Sequence, residues 1–317
     1  MTTRTLPKIP LKTYRLYFET TECVRLPDYP GSAWRGAFGH ALKRTVCVVR
    51  NTPCKQCLLK HACAYSYIFE TPPSPNAEKM RKYSAIPHPF VFRFPKQVSA
   101  TGIYSFDLTL FGHGQRYFPY IVHALQTAGK DGIGGHRQIF DLIKIDELDF
   151  QGNAQTIYHD GELQAQQNAA SPLVPDMPSQ IALRFESPIR IKQQQKNLIA
   201  DDFNFGALFS NLLRRISMIS YFHTDTPLET DFAGLTAQAR SLSFIERELV
   251  WYDWTRYSSR QQTEMSMGGL VGSATVDMQG MEDFWPYLWL GQWIHVGKGT
   301  SMGMGAYSLA STSLPSD

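Results

Sequence analysis

The chain has 317 residues, of which 43% are hydrophobic, 13% aromatic and 19% charged. That composition excludes a disordered chain, a collagen-like repeat and a disulfide-stapled mini-fold, and the length favours two domains over one. Net charge is only +3, but residues 1–100 carry 16 Lys and Arg against 5 Asp and Glu, a balance of +11, while residues 101–317 carry 15 against 23, a balance of −8. A basic N-terminal third reads either as a face for a polyanion or as a solvated basic surface. No stretch approaches the ~18 uninterrupted apolar residues of a membrane span, and the first residues lack the apolar core of a secretory signal. A cytoplasmic protein with no membrane partner is expected.

Along the chain, Leu11–Glu19 alternates, with Tyr14, Leu16 and Phe18 on one face, as a strand does. A helix is expected from Ser32, as N-cap, to about Arg44. Strands follow at Pro89–Phe94 and Tyr104–Gly112, a helix at Tyr117–Ala128 and a strand at Gln138–Ile145. Phe150 to Tyr158 reads as a hairpin turning at Gln151–Asn153. Residues 161–179 are polar, small and proline-bearing, a linker between domains at 1–160 and 180–317. The second domain predicts a strand at Gln180–Phe185, a helix at Phe203–Phe222 and strands at Glu248–Asp253 and Leu270–Val276. A helix at Phe284–His295 and a last strand at Ala306–Ala310 complete it. Both halves therefore read as α+β, two tandem ferredoxin-like βαββαβ domains, the first with a four-cysteine metal-binding insertion at 47–63. Trp285, Trp289 and Trp293 stack at helical spacing and are expected in the core rather than as a platform for bases.

Three motifs carry chemistry. In the first helix, Trp34, Ala37, Phe38, Ala41 and Leu42 form an apolar stripe. At 100° per residue from Trp34, Gly36, His40 and Lys43 fall at about 200°, 240° and 180°, on the opposite face. His40 is thus a reactive histidine beside Lys43, or a solvent-facing one in a basic patch. Gly36 and Gly39 each cost about 1 kcal/mol inside a helix, which predicts close approach of another backbone or of a ligand.

Cys47, Cys54, Cys57 and Cys63 form a C-x6-C-x2-C-x5-C array, which in a cytosolic chain points to metal rather than to disulfides. Four thiolates suit structural zinc, with an iron–sulfur cluster as the alternative, because the spacing is not a ferredoxin pattern. His61 is a substitute ligand, Cys23 looks unrelated, and the staple would present Lys55 and Lys60. Gly297-Lys298-Gly299 through Gly303-Met304-Gly305 is neither a dinucleotide fingerprint nor a Walker loop, since a helix precedes it and a strand follows. It reads as a flexible turn whose free amides and Lys298 suit phosphates, or as a tight helix-to-strand connection.

GSAWRGAFGHALKR at 31–44, the cysteines after it, AYSYIFE at 64–70, RYSSRQ at 256–261, MGGLVGSATV at 267–276 and GKGTSMGMGAYSL at 297–309 together resemble the CRISPR repeat-cleaving endoribonucleases of the RAMP superfamily. The resemblance implies two ferredoxin-like domains and metal-independent cleavage of precursor CRISPR RNA within each repeat, leaving a 2′,3′-cyclic phosphate and a 5′-hydroxyl. It implies repeat RNA and crRNA as ligands, with other subunits of a CRISPR effector complex as further partners. His40 matches the general-base histidine that the family carries in or near its first helix. His40 is accordingly expected as base or acid and Lys43 as its electrostatic partner, with no catalytic metal. Tyr65, Tyr67, His136 and His295 stand in reserve. RNA contacts are expected from Arg35, Arg44, Arg256, Arg260 and Lys298, with Gly297, Gly299, Gly303 and Gly305 shaping the loop. The competing readings are a non-catalytic RAMP subunit that binds guide RNA and a redox-sensing RNA-binding protein.

Overall fold

Alternation decides the first strand. In the computed structural model, which describes residues 6–73, 86–95, 102–166, 168–258 and 263–311, β1 spans Leu11–Glu19 and buries Tyr14, Leu16 and Phe18. After it, α1 (Gly31–Val46) buries Trp34, Phe38, Ala41 and Leu42. It begins a residue before Ser32, with Pro30 at the N-cap and no side-chain capping bond, so Ser32 is inside the helix rather than its cap. The Trp34 ring lies 4.8 Å from Phe18, 4.7 Å from Phe106 and 5.5 Å from Phe140. Burying that aromatic side of α1 fixes which side faces water.

The remaining elements of this unit are β2 (Phe90–Arg93), β3 (Ile103–Phe111), α2 (Phe118–Asp131), β4 (Asp141–Leu148), β5 (Ala154–His159) and β6 (Glu162–Leu163). The sheet runs β2-β3-β1-β4-β5-β6 with antiparallel neighbours, so β1 lies between β3 and β4 as a βαββαβ chain requires. The β4–β5 hairpin turns on Asp149, whose carboxylate accepts from the amides of Gln151 (2.9 Å) and Asn153 (2.8 Å).

The second unit holds β7 (Gln180–Ile189), a short hairpin β8 (Lys192–Gln193) and β9 (Lys196–Asn197), α3 (Phe205–His223), α4 (Phe232–Arg240), β10 (Glu246–Ser258), β11 (Thr263–Asp277), α5 (Trp285–Ile294) and β12 (Tyr307–Ser311). Its sheet order, β10-β11-β7-β12, repeats the same interleaving. The chain divides at Ser171/Pro172 into two compact units, with Met218–Thr226 grouped with Ile9–Ser171 and Met1–Lys8 with the C-terminal unit. The tryptophan ladder is less buried than expected: Trp285 is buried, whereas Trp289 and Trp293 are half-buried. Its indole N–H groups hold the linker, Trp285 donating to the Pro175 carbonyl and Trp289 to that of Leu173, both at 2.8 Å. Rings spaced 5.6 and 5.5 Å apart form the bed on which that linker lies.

Candidate active site and nucleic-acid interface

With Trp34 and Phe38 in the core, Gly36, His40 and Lys43 are all exposed on the far side of α1. Behind them runs a π-helical turn, Ser66–Glu70, that projects Tyr65 and Phe69 as stacked rings 5.5 Å apart. The Lys43 ammonium lies 5.6 Å from the Tyr65 centroid, and the Arg35 guanidinium 5.2 Å from that of Phe69. Cation–π contacts of this kind restrict both cations, and of the two Lys43 is the i+3 neighbour of His40. Arg35 also reaches His88 Nε2 at 3.1 Å, which makes that nitrogen the acceptor and leaves Nδ1–H for Thr71 Oγ1 at 2.9 Å. Arg44 pairs with Asp131. Of the expected phosphate contacts, Arg35 and Arg44 are therefore already engaged within the fold.

The two glycines of α1 have different reasons. A Cβ at Gly39 would stand 2.9 Å from the Phe69 ring, so the ring occupies the space that the glycine vacates. The approach expected from another backbone is made by an aromatic side chain. Among the described residues, a Cβ at Gly36 would meet nothing within 4 Å.

Among the reserve residues, Tyr67 is tied down. Burial raises its phenol well above the usual range, and its hydroxyl donates to His223 Nδ1 at 2.8 Å, while His223 Nε2 donates to the Pro87 carbonyl at 2.7 Å. His295 is 1% exposed and its Nδ1 lies 3.2 Å from the Met304 carbonyl, which makes it a structural residue rather than a catalyst. His136 and His61 are exposed.

The cysteine segment folds into short turns. Cys57 N–H donates to the Cys54 carbonyl (3.3 Å), Cys63 N–H to that of Leu59 (2.9 Å), and the Cys47 thiol lies 3.4 Å from the Val49 carbonyl. Burial pushes the Cys54 thiol up; Lys43 acts the other way, and Glu70, Cys47 and Cys63 add to the rise. Cys47 and Cys63 are thus each within electrostatic reach of Cys54. Among the described residues, however, no three Cys, His, Asp or Glu side chains are gathered as a metal ion requires. Cys47, Cys54, Cys57 and Cys63 form no disulfide.

Of the two readings of the glycine loop, its contacts fit the tight helix-to-strand connection and not the free-amide turn. Gly297, Gly299, Gly303 and Gly305 all have positive φ, between 71° and 92°. A Cβ at Gly305 would collide with the Val296 carbonyl, and one at Gly297 would approach the Arg190 carbonyl at 2.7 Å. Most amides are already used: Gly297 N–H donates to Asn211 Oδ1 (3.1 Å), Lys298 N–H to the Arg190 carbonyl (2.9 Å) and Gly305 N–H to that of Pro188 (3.0 Å). Met302, Gly303 and Met304 bond back into the loop itself. At its entry the buried Arg215 donates from Nε to the Ile294 carbonyl at 2.8 Å, anchoring the end of α5. What the loop presents is Lys298, which is exposed. Desolvation lowers the pKa of this lysine, and Arg214, Lys192 and Arg190 lower it further.

That basic cluster is a candidate site that motif reading missed. Arg190 and Lys192 follow β7 and Arg214 is exposed on α3. The run Arg190–Lys196, three cations without an acid, was its one local signal. The Arg256 side chain and all of Arg260 lie outside the described residues.

Two sheets of the same interleaved order, β2-β3-β1-β4 and β10-β11-β7-β12, define a tandem ferredoxin-like fold. Residues 9–171 match the family model AF_1859_N, an N-terminal domain, and residues 183–307 match the CRISPR-associated endoribonuclease Cas6. The chain belongs to the Cas6-type family of CRISPR repeat-cleaving RAMP endoribonucleases. An uncharacterized protein of Archaeoglobus fulgidus is 24% identical over 307 residues, covering 94% of this chain and 96% of that one. Among solved structures, the product complex of Thermus thermophilus Cas6 (TTHB231) has a TM-score of 0.60 at 17% identity, covering 95% of this chain and 99% of that one. A partial Cas6-RT-Cas1–Cas2 complex gives 0.58 at 17% identity and covers 97% of this chain and 47% of the other. The Cas6 (TTHA0078) product complex gives 0.52 at 17%, over 95% and 99% of the two chains. At these identities the likeness is one of fold. No helix among the described residues is long and apolar enough to cross a membrane.

Proposed function

We propose that this chain cleaves CRISPR repeat RNA by attack of a ribose 2′-oxygen on the adjacent phosphorus. The P–O5′ bond breaks, leaving a 2′,3′-cyclic phosphate and a 5′-hydroxyl, with no metal in the reaction. The observation that carries the reading is the exposed face of α1, where His40 stands beside Lys43 in a Cas6-type chain. His40 takes the 2′-hydroxyl proton as base, or delivers one to the leaving 5′-oxygen as acid. Lys43, oriented over Tyr65, stabilises charge developing on the non-bridging oxygens. Lys298 with Arg190, Lys192 and Arg214 grips phosphates elsewhere on the RNA. Arg35 and Arg44, already engaged, contribute to the field, and Arg256 and Arg260 stand on the family resemblance. The transcript substrate puts the reaction in the cytoplasm.

Incubation of the protein with repeat RNA in EDTA tests this. The expected result is cleavage at one site, with end-group analysis finding the cyclic phosphate. His40→Ala should lower the single-turnover rate by about 10²–10⁴-fold. Wild-type cleavage by that variant ends the assignment. A second reading, a non-catalytic subunit holding guide RNA in a larger assembly, draws on the solved complex that joins a Cas6 to RT, Cas1 and Cas2. Tight binding without cleavage in the same assay would favour it.

For the cysteines, the proposal is a structural zinc on Cys47, Cys54, Cys57 and Cys63, with an iron–sulfur cluster as the alternative. Support comes from their spacing within 17 residues and from the reach of Cys47 and Cys63 to Cys54. Metal analysis of the purified protein should find about one zinc per chain. Visible charge-transfer absorbance would replace zinc by a cluster, and neither signal would remove the metal.

A further inference from the structure

We propose that Gly36 is a clearance residue for the substrate: its missing side chain leaves room for the ribose-phosphate backbone to lie along α1 next to His40. The inference rests on the reading of α1 as the cleavage face. The fold itself has no use for this glycine. Its φ is not in the left-handed region, so the backbone tolerates any residue there. A Cβ would meet no atom of the described residues within 4 Å, so their packing does not forbid one either. Alanine would favour the helix instead. Gly39, three residues on, is the internal control, because there the Phe69 ring fills the vacated space.

Position and charge name the ligand. Gly36 is four residues before His40, about 6 Å along the helix axis and on the same exposed side. That separation is on the scale of one nucleotide of extended backbone, so a strand placed for reaction at His40 would pass over Gly36. The helix GSAWRGAFGHALKRTV holds no acidic residue. Arg35, next in sequence, and Lys43, two turns on, are engaged by rings of the π-helical turn, so every formal charge on this helix is positive. A polyanionic backbone suits a helix surface with cations and no acid.

The test is a size series, Gly36→Ala, Gly36→Gln and Gly36→Leu, measured for thermal midpoint, repeat-RNA Kd and single-turnover cleavage, with His40→Ala in parallel. The Ala variant should melt ~2–4 °C higher, as expected for a helix-favouring change in a domain of this size. The larger variants should melt no lower than wild type. Binding and cleavage should fall stepwise with side-chain size, by about 10-fold or more for Leu, roughly the effect of 1.4 kcal/mol. The pH profile should keep its shape because His40 is untouched. A Leu variant that binds and cleaves like wild type overturns the inference, as does activity lost together with melting temperature, which would make Gly36 structural. The His40 reading fails separately, if His40→Ala keeps full rate. An inactive His40→Ala beside a fully active Gly36→Leu would sink the clearance role alone.

Discussion

The chain carries two glycine-bearing motifs, and they use the residue for opposite reasons. In the loop at 297–305 every glycine sits at positive φ, and carbonyls crowd Gly297 and Gly305 where a Cβ would go. In α1 the conformation is helical, and at Gly36 the space is empty. The loop glycines are architecture: they let the chain fold tightly between α5 and β12 and hold out one exposed lysine. A motif that looks like a phosphate cradle in sequence is in fact a rigid mount, with its amides largely spent on its own carbonyls. The helix motif, which looks like ordinary amphipathic sequence, is where the open surface lies.

The largest effect that would sharpen this contrast is at Gly305. Gly305→Ala puts a Cβ against the Val296 carbonyl at φ 71°, a clash with backbone that no rotamer relieves. A loss of ~3 kcal/mol or more is expected in urea unfolding. Stability within about 0.5 kcal/mol of wild type would mean that the loop is as loose as its composition suggests.

How much of this was legible in the sequence depended on whether the signal was local. β1 was read at its true ends because one buried face imposes strict alternation from Leu11 to Glu19. The outward turn of His40 was legible because Trp34 and Phe38 leave α1 no other way to face. α4 was missed, since nine residues bury only Leu235 and Ala239. Its cap was a readable signal, Asp231 accepting the Gly234 amide at 2.8 Å. The π-helical turn that presents Tyr65 and Phe69 has no periodic signature, so the partners of Arg35 and Lys43 were invisible. The basic cluster was hidden by distance along the chain, as Arg190, Arg214 and Lys298 meet only because β7, α3 and the glycine loop pack in one unit. Free-amide character failed as a prediction because glycine content reports what backbone geometry is allowed, not which amides remain unpaired.

The smaller effect lies at Lys298, the residue that the rigid mount holds out. Partial burial and three neighbouring cations lower its pKa below the ordinary 10.5, so its charge is disfavoured in the free fold. The sign follows from proton counts. Between the lowered folded value and 10.5 the unfolded chain holds more protons, so stability rises with pH across that window. The contribution is complete above 10.5 and is lost as pH falls through the folded value. Near neutral pH, Lys298→Gln should therefore match or slightly exceed wild type in stability, and the gap should close as pH climbs towards 10.5. Binding should move the other way. A phosphate beside Lys298 restores the charged form, so RNA affinity should weaken as pH rises through the lowered value, and the Gln variant should lose that dependence. Removing one phosphate contact should also flatten the slope of log K against log salt by about 0.7–0.9. An unchanged slope, or stability that drops at neutral pH, would return Lys298 to the status of an ordinary surface cation and leave α1 alone as the proposed RNA face.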